Sequence, residues 1–142
     1  MAEGGLAAGR GEALYRQLEA SHPLLAVLPP AGQPPSAPAC FETFPHAITW
    51  QLRGGQASAA HKRSQRTELL RQAGINPAPL TSIDFIDAAL CALAAQQLAS
   101  GLPCQAYGEA GSGLIVVPQG LLVADDPPHW SEQVPDWTDW TA

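Results

Sequence analysis

TSIDFIDAALCALAAQQLAS, residues 81–100, is the stretch from which the rest of the chain can be placed. Thr81-Ser82-Ile83-Asp84 resembles a capping box, in which a hydroxyl opens a helix and an acid follows three residues on. The helix runs to about Ser100, and Gly101 supplies the stop. Over 83–95 it is apolar on nearly every face, which predicts a mostly buried helix. Its only ionisable groups there, apart from Cys91, are Asp84 and Asp87. A buried carboxylate is costly unless it is paired or bound to a metal. Three residues apart, the two aspartates share a face, which suits two oxygen ligands for a hard cation such as Mg²⁺. Other readings stay open. Asp84 fits a first-turn acid favoured by the helix dipole, and Asp87 fits an acceptor for Arg63, Arg66 or a backbone amide. Cys91 reads as a packed, inert thiol.

Upstream, AHKRSQRTELLRQA, residues 60–73, predicts a basic amphipathic helix that stops at Gly74, and NPAP at 76–79 a turn. Its basic run is His61, Lys62, Arg63, Arg66 and Arg71, with Arg63 and Arg66 on one face. Guanidinium forks match phosphate oxygens; a solvated helix face is the plainer alternative. CFETF, residues 40–44, reads as a short strand with Phe41 and Thr43 on one face and Cys40, Glu42 and Phe44 on the other. Pro45 stops it and opens a short helix, HAITWQL, ended by Gly54-Gly55. Glu42 is a carboxylate within an apolar strand, and His46 follows the strand's C-terminal end, where ligand sites of open α/β sheets collect. An edge-strand Glu facing water and an ordinary loop His are the alternatives.

Residues 23–38 carry six prolines and predict an extended loop or linker. EALYRQLEAS, residues 12–21, reads as a helix with Leu14 and Leu18 on its apolar stripe, after a flexible start at 1–9. Downstream, 105–108 and 113–118 predict a hairpin around EAGS. Residues 119–142 form an acidic, Trp-rich tail, expected to be flexible.

At 142 residues the chain is one domain by length, with a formal net charge of −6. Residues 1–118 hold seven basic and eight acidic residues, whereas 119–142 hold five acidic and no basic ones. A broadly basic nucleic-acid footprint is excluded, but a local patch is not. The cysteines at 40, 91 and 104 make no CxxC motif, which excludes a zinc ribbon or thioredoxin site and fits reduced thiols in the cytoplasm. The opening residues have no signal-peptide pattern, and the apolar segment 85–95 is far too short to span a bilayer, so a cytoplasmic protein without membrane contact is expected. Nothing matches a P-loop, a dinucleotide-binding glycine pattern, HExxH or a nucleophile elbow.

RGEALYRQLEA, FETFPHAITW, AHKRSQRTELLRQAGI, SIDFIDAALCALAA and YGEAGSGLIVVP, in that order, resemble the DUF429 family over about residues 10–118. The resemblance implies a fold like that of RNase H-like nucleases and hydrolysis of phosphodiesters with Mg²⁺ or Mn²⁺. It makes Glu42 the strand acid and Asp84 and Asp87 the acids of the last core helix, these two holding the metal. His46, Lys62, Arg63 and Arg66 are then the candidate substrate contacts. Such folds open with a hairpin that carries an aspartate, yet here no aspartate precedes Asp84 and no strand-like run precedes Cys40. The expectation is therefore an α/β chain, the C-terminal half of an RNase H-like domain with a terminal β-hairpin and flexible tail, incomplete and inactive alone. The alternative is a non-catalytic interaction module, whose protein partner covers an open sheet edge or grips the Trp-rich tail. A third reading is a nucleotide-binding protein with the basic helix on phosphate.

Overall fold

The computed structural model describes residues 4–109 and 113–121, with side chains from Gly11 onward. Four helices precede a hairpin: α1 Gly4–Leu18, α2 Pro45–Leu52, α3 Lys62–Gln72, α4 Ile83–Ala99, β1 Cys104–Glu109 and β2 Gly113–Pro118. The chain is a small mixed α/β protein. No helix among the described residues is long and apolar enough to cross a membrane.

The helix ends follow local chemistry. Pro45 stands at the first position of α2, where its missing N–H costs nothing. α2, α3 and α4 end alike. After α4, Gly101 N–H donates to Leu98 O at 3.1 Å and Leu102 N–H to Gln97 O at 3.0 Å. This double closure requires a left-handed residue between, and Gly101 has φ 72°. Gly54 and Gly74 serve the same role after α2 and α3, with φ 69° and 79°. The start of α4 lies one residue later than the expected box. Ser82 is the cap and its Oγ accepts from Phe85 N at 3.2 Å. The third helical residue is therefore Phe85, which cannot reciprocate, and Asp84 is an uncommitted acid of the first turn. α1 begins at Gly4 rather than near Glu12, because the Ala-containing opening continues the helix backwards.

β1 and β2 pair antiparallel from Cys104↔Pro118 to Glu109↔Gly113; the turn expected at EAGS falls partly on residues 110–112, outside the described residues. The expected strand at 40–44 is reduced to two bridges. Glu42 pairs parallel with Ile115, and Cys40 pairs parallel with Leu24. Val116 N–H donates to Glu42 O at 2.9 Å. Pro38 and Pro45 flank the segment and leave little room for a longer ladder. The predicted alternation survives: Phe41 and Thr43 are half-buried, Glu42 and Phe44 exposed.

The main core gathers Ile48 from α2, Leu69 and Leu70 from α3, Ile86, Leu90, Leu93 and Ala94 from α4, and Val117 from β2. A second cluster joins Leu98, Leu114 and Val116. The Pro-rich segment is no free linker, since Leu25 and Leu28 pack on this second cluster. α4 is less enclosed than its composition predicts. Ile86, Leu90, Leu93, Ala94, Gln97 and Leu98 are buried, but Phe85, Ala88, Ala92, Ala95 and Ala99 are exposed. One face of the helix meets the core, and the described sheet is too narrow to cover the other.

Candidate functional site

The expected basic face of α3 divides in two. Arg66 lies on the stripe that holds Leu69, Leu70 and Ala73, so α3 carries it inward against α4. It is only 6% exposed, and its Nη1 donates to Asp87 Oδ1 at 2.5 Å. The Asp87 side chain keeps 27% of its exposure. The guanidinium Nε is buried with no partner, so the carboxylate is the ion's main compensation. One turn on in α4, the Cys91 thiol is pushed up from its ordinary pKa, first by burial and then by the Asp87 charge, with Arg66 pulling the other way. Of the readings open for Asp87, the structure places it as the acceptor for Arg66.

Arg63 stays outside. It is exposed, and its Nη2 donates to Thr81 O at 3.0 Å, tying the start of α3 to the residue before the α4 cap. Together with Arg53, His61 and Arg71 it lines an open groove of about 990 Å³ between α3, the 76–81 turn and the opening of α4. The one acid on its wall is Glu68, 3.6 Å from Arg71. Arg53 and Arg63 have no carboxylate partner among the described residues. Lys62 is exposed beside the groove in sequence but is not part of its wall. Four cationic side chains around one concavity, next to a helix N-terminus, can hold anionic oxygens.

Glu42 sits elsewhere. It is exposed and lines a separate groove of about 700 Å³ with Glu12, Tyr15, Arg16 and Glu19 of α1, a groove sharing no residue with the first. Burial raises the Tyr15 phenol pKa, followed by the charges of Glu42 and Cys40 and a hydrogen bond to Glu42. His46 is half-buried near the start of α2, its ring centroid 6.2 Å from that of Phe44. Asp84 is exposed in the first turn of α4.

These acids do not make a metal cage as they stand. Among the described residues no three His, Cys, Asp or Glu side chains are grouped to hold an ion, and Asp87 spends an oxygen on Arg66. The donor set does not fit Mg²⁺ or Mn²⁺, and no hydrolytic step is derived through either. Sequence reasoning undervalued Arg53 and Arg71. Arg53 stands next to Gly54-Gly55 and looks like the end of a helix; only the fold of α2 against α3 brings it to the groove wall.

The elements and the groove define a small α/β domain with a cationic face on an acidic chain. The family model described as "Protein of unknown function (DUF429)" matches residues 6–110, and the chain belongs to that family. Searches of curated proteins and of solved structures returned no match.

Proposed function

We propose that the chain is a phosphodiester-recognising domain of RNase H-like descent that binds nucleic acid in the α3–α4 groove and does not hydrolyse it unaided. The observation that carries this reading is the division of α3. Arg66 is sealed against Asp87, while Arg53, His61, Arg63 and Arg71 face an open concavity. An open groove with spread cations fits a polyanion better than an enclosed mononucleotide. The parallel pairing of Glu42 with β2, beside an antiparallel hairpin, supports kinship with a mixed RNase H-like sheet. The Mg²⁺ or Mn²⁺ chemistry implied by that kinship needs further carboxylates from outside the described residues.

The test is fluorescence anisotropy with a labelled single-stranded oligonucleotide across a salt series, followed by a cleavage assay with Mg²⁺ and Mn²⁺. Arg53→Gln/Arg63→Gln should weaken binding and lower the salt slope by about 2, near 1 per lost phosphate contact. Affinity and slope equal to wild type would remove the groove. Metal-dependent cleavage lost in Asp87→Asn would restore Asp87 as a catalytic ligand and end the non-hydrolytic reading.

A further inference from the structure

The body of the chain and its tail differ in charge. Five of the seven Lys and Arg residues fall between Arg53 and Arg71, while residues 119–142 hold five acids and no base. Of those basic residues, Arg53, Arg63 and Arg71 line the groove, joined by His61. The tail also has a pattern. In Asp136-Trp137-Thr138-Asp139-Trp140 a carboxylate and an indole recur every three residues, and Asp125, Asp126, Trp130 and Glu132 precede them. Negative charge alternating with flat aromatic rings is the chemistry of a single-stranded nucleic acid, whose phosphates and bases meet guanidinium groups and stacking partners.

The tail starts close by. Leu121 packs on the core cluster that contains Leu69 and Leu70, so the described chain leaves off beside α3. α3 has 11 residues, about 16 Å in length. Fifteen to eighteen further residues, the distance in sequence from Leu121 to Asp136 and Asp139, give a flexible segment an r.m.s. reach of roughly 20–25 Å. The whole wall of the groove is within that span.

We propose that the acidic-aromatic segment 125–140 of the same chain occupies the Arg53–His61–Arg63–Arg71 groove as a nucleic-acid mimic and competes with polyanionic ligands for it. The proposal rests on the phosphodiester reading of the groove and adds its regulation. A tether of this length gives an effective concentration in the millimolar range. With an intrinsic tail dissociation constant of about 0.1 mM, external ligands bind about tenfold more weakly than to a vacant groove.

Lys62 makes a direct test available. It is the one lysine of the chain, it is exposed, and His61 and Arg63 flank it. A zero-length carbodiimide cross-linker joins a lysine amine to a carboxylate only where the two touch. The full-length chain is cross-linked, the monomer is isolated, and its peptides are sequenced by mass spectrometry. In parallel, oligonucleotide affinity is measured for wild type and for a full-length variant with Asp125→Asn, Asp126→Asn, Glu132→Gln, Asp136→Asn and Asp139→Asn. The expected result is a Lys62 amide to an acid of 125–139 within one chain, reduced at least about threefold in Arg53→Gln/Arg63→Gln, and an affinity gain of about tenfold in the neutral-tail variant. An amide that forms only between two chains overturns the proposal in favour of a second copy as occupant. An amide that persists undiminished in the groove variant overturns the groove as its place. No amide, with equal oligonucleotide affinity in both tails, overturns tail docking while leaving the phosphodiester reading intact. A groove-dependent amide with no oligonucleotide bound by either chain overturns that reading and the competition with it, leaving only the tail contact.

Discussion

Replacing Asp87 by its near-isostere Leu separates a structural pair from a metal ligand by the sign of the stability change. In the structure the substitution leaves Arg66, 6% exposed and with an unpartnered Nε, as a buried ion without a counter-charge. Breaking a buried pair from one side costs about 3–5 kcal/mol. The Asp87 side chain is 27% exposed, so water reaches the guanidinium once the carboxylate is gone and the low end, about 3 kcal/mol, applies. At about 4 °C per kcal/mol for a chain of this size, Tm falls by about 12 °C. Arg66→Met alone costs about 1 kcal/mol, because Asp87 keeps access to water. The double variant Arg66→Met/Asp87→Leu, an apolar pair of similar volume, returns to within about 1 kcal/mol of wild type.

Urea and thermal unfolding of the four proteins complete a double-mutant cycle, with an expected coupling of about 3 kcal/mol. A carboxylate kept free for a cation predicts the opposite pattern. Its removal relieves charge repulsion and stabilises the protein, and Mg²⁺ raises the Tm of wild type but not of the variant. A loss below about 1 kcal/mol in Asp87→Leu, or a gain, refutes the pairing argument.

Ser82→Ala removes the side-chain acceptor for Phe85 N–H and should cost about 1 kcal/mol in urea unfolding, with Ser82→Gly costing only a few tenths; equal losses would show that the cap bond contributes nothing. Gly101→Ala should cost about 1–2 kcal/mol for its left-handed φ, and more for a Cβ 3.1 Å from Gly32 O, Gln33 C and Pro34 N. Gly74→Ala meets open space and pays only the backbone cost, so a greater drop in Tm at Gly74 would contradict the packing of the Pro-rich loop on α4. For Cys91, Asp87→Asn removes the charge that raises the thiol pKa and releases the Arg66 charge that lowers it, so both effects move the titration downward. Iodoacetamide labelling of Cys91, followed by mass spectrometry from pH 7 to 10, should show its midpoint move to lower pH; an unchanged or higher midpoint refutes the proximity.

What could be read from the chain follows the range of the interactions. Pro45, Gly54, Gly74 and Gly101 mark helix ends through conformations set within a few residues, and all four occupy the expected places. The hairpin is equally local, and β2 matches its predicted bounds. The cap of α4 depends on which of two adjacent hydroxyls, Thr81 or Ser82, turns to the helix, and that choice is made partly by Arg63 holding the Thr81 carbonyl. The strand at 40–44 was judged by residue type, whereas its ladder depends on a neighbour more than 70 residues away. Arg66 was grouped with Arg63 by spacing. The better signal was Arg66, Leu69, Leu70 and Ala73 at i, i+3, i+4 and i+7, an inward stripe that includes one charge. A stripe of that kind calls for a counter-ion on the facing helix, and Asp87 is the only acid α4 offers beyond its first turn.

The pair also bears on how the groove is held. Desolvating Arg66 and Asp87 consumes much of what their attraction returns, so their net contribution to stability is small beside that of Ile48, Leu70 and Leu90, all fully buried. Apolar contacts alone tolerate a helix sliding or rotating by a fraction of a turn, because one alkyl surface is much like another. An ion pair between α3 and α4 does not, since a shift of a few ångströms leaves a charge unpaired in the core. Arg63 adds a second polar tie between the same two helices, 18 residues apart in sequence, at the outer end of the interface. With α3 pinned at Arg66 and at Arg63, the outward positions of the helix are set as well, and these include His61 at its cap and Arg71 in its last turn. The residue that resemblance marks as a metal ligand thus has a different physical task in this chain: it fixes the orientation of the helix that carries the groove's cations.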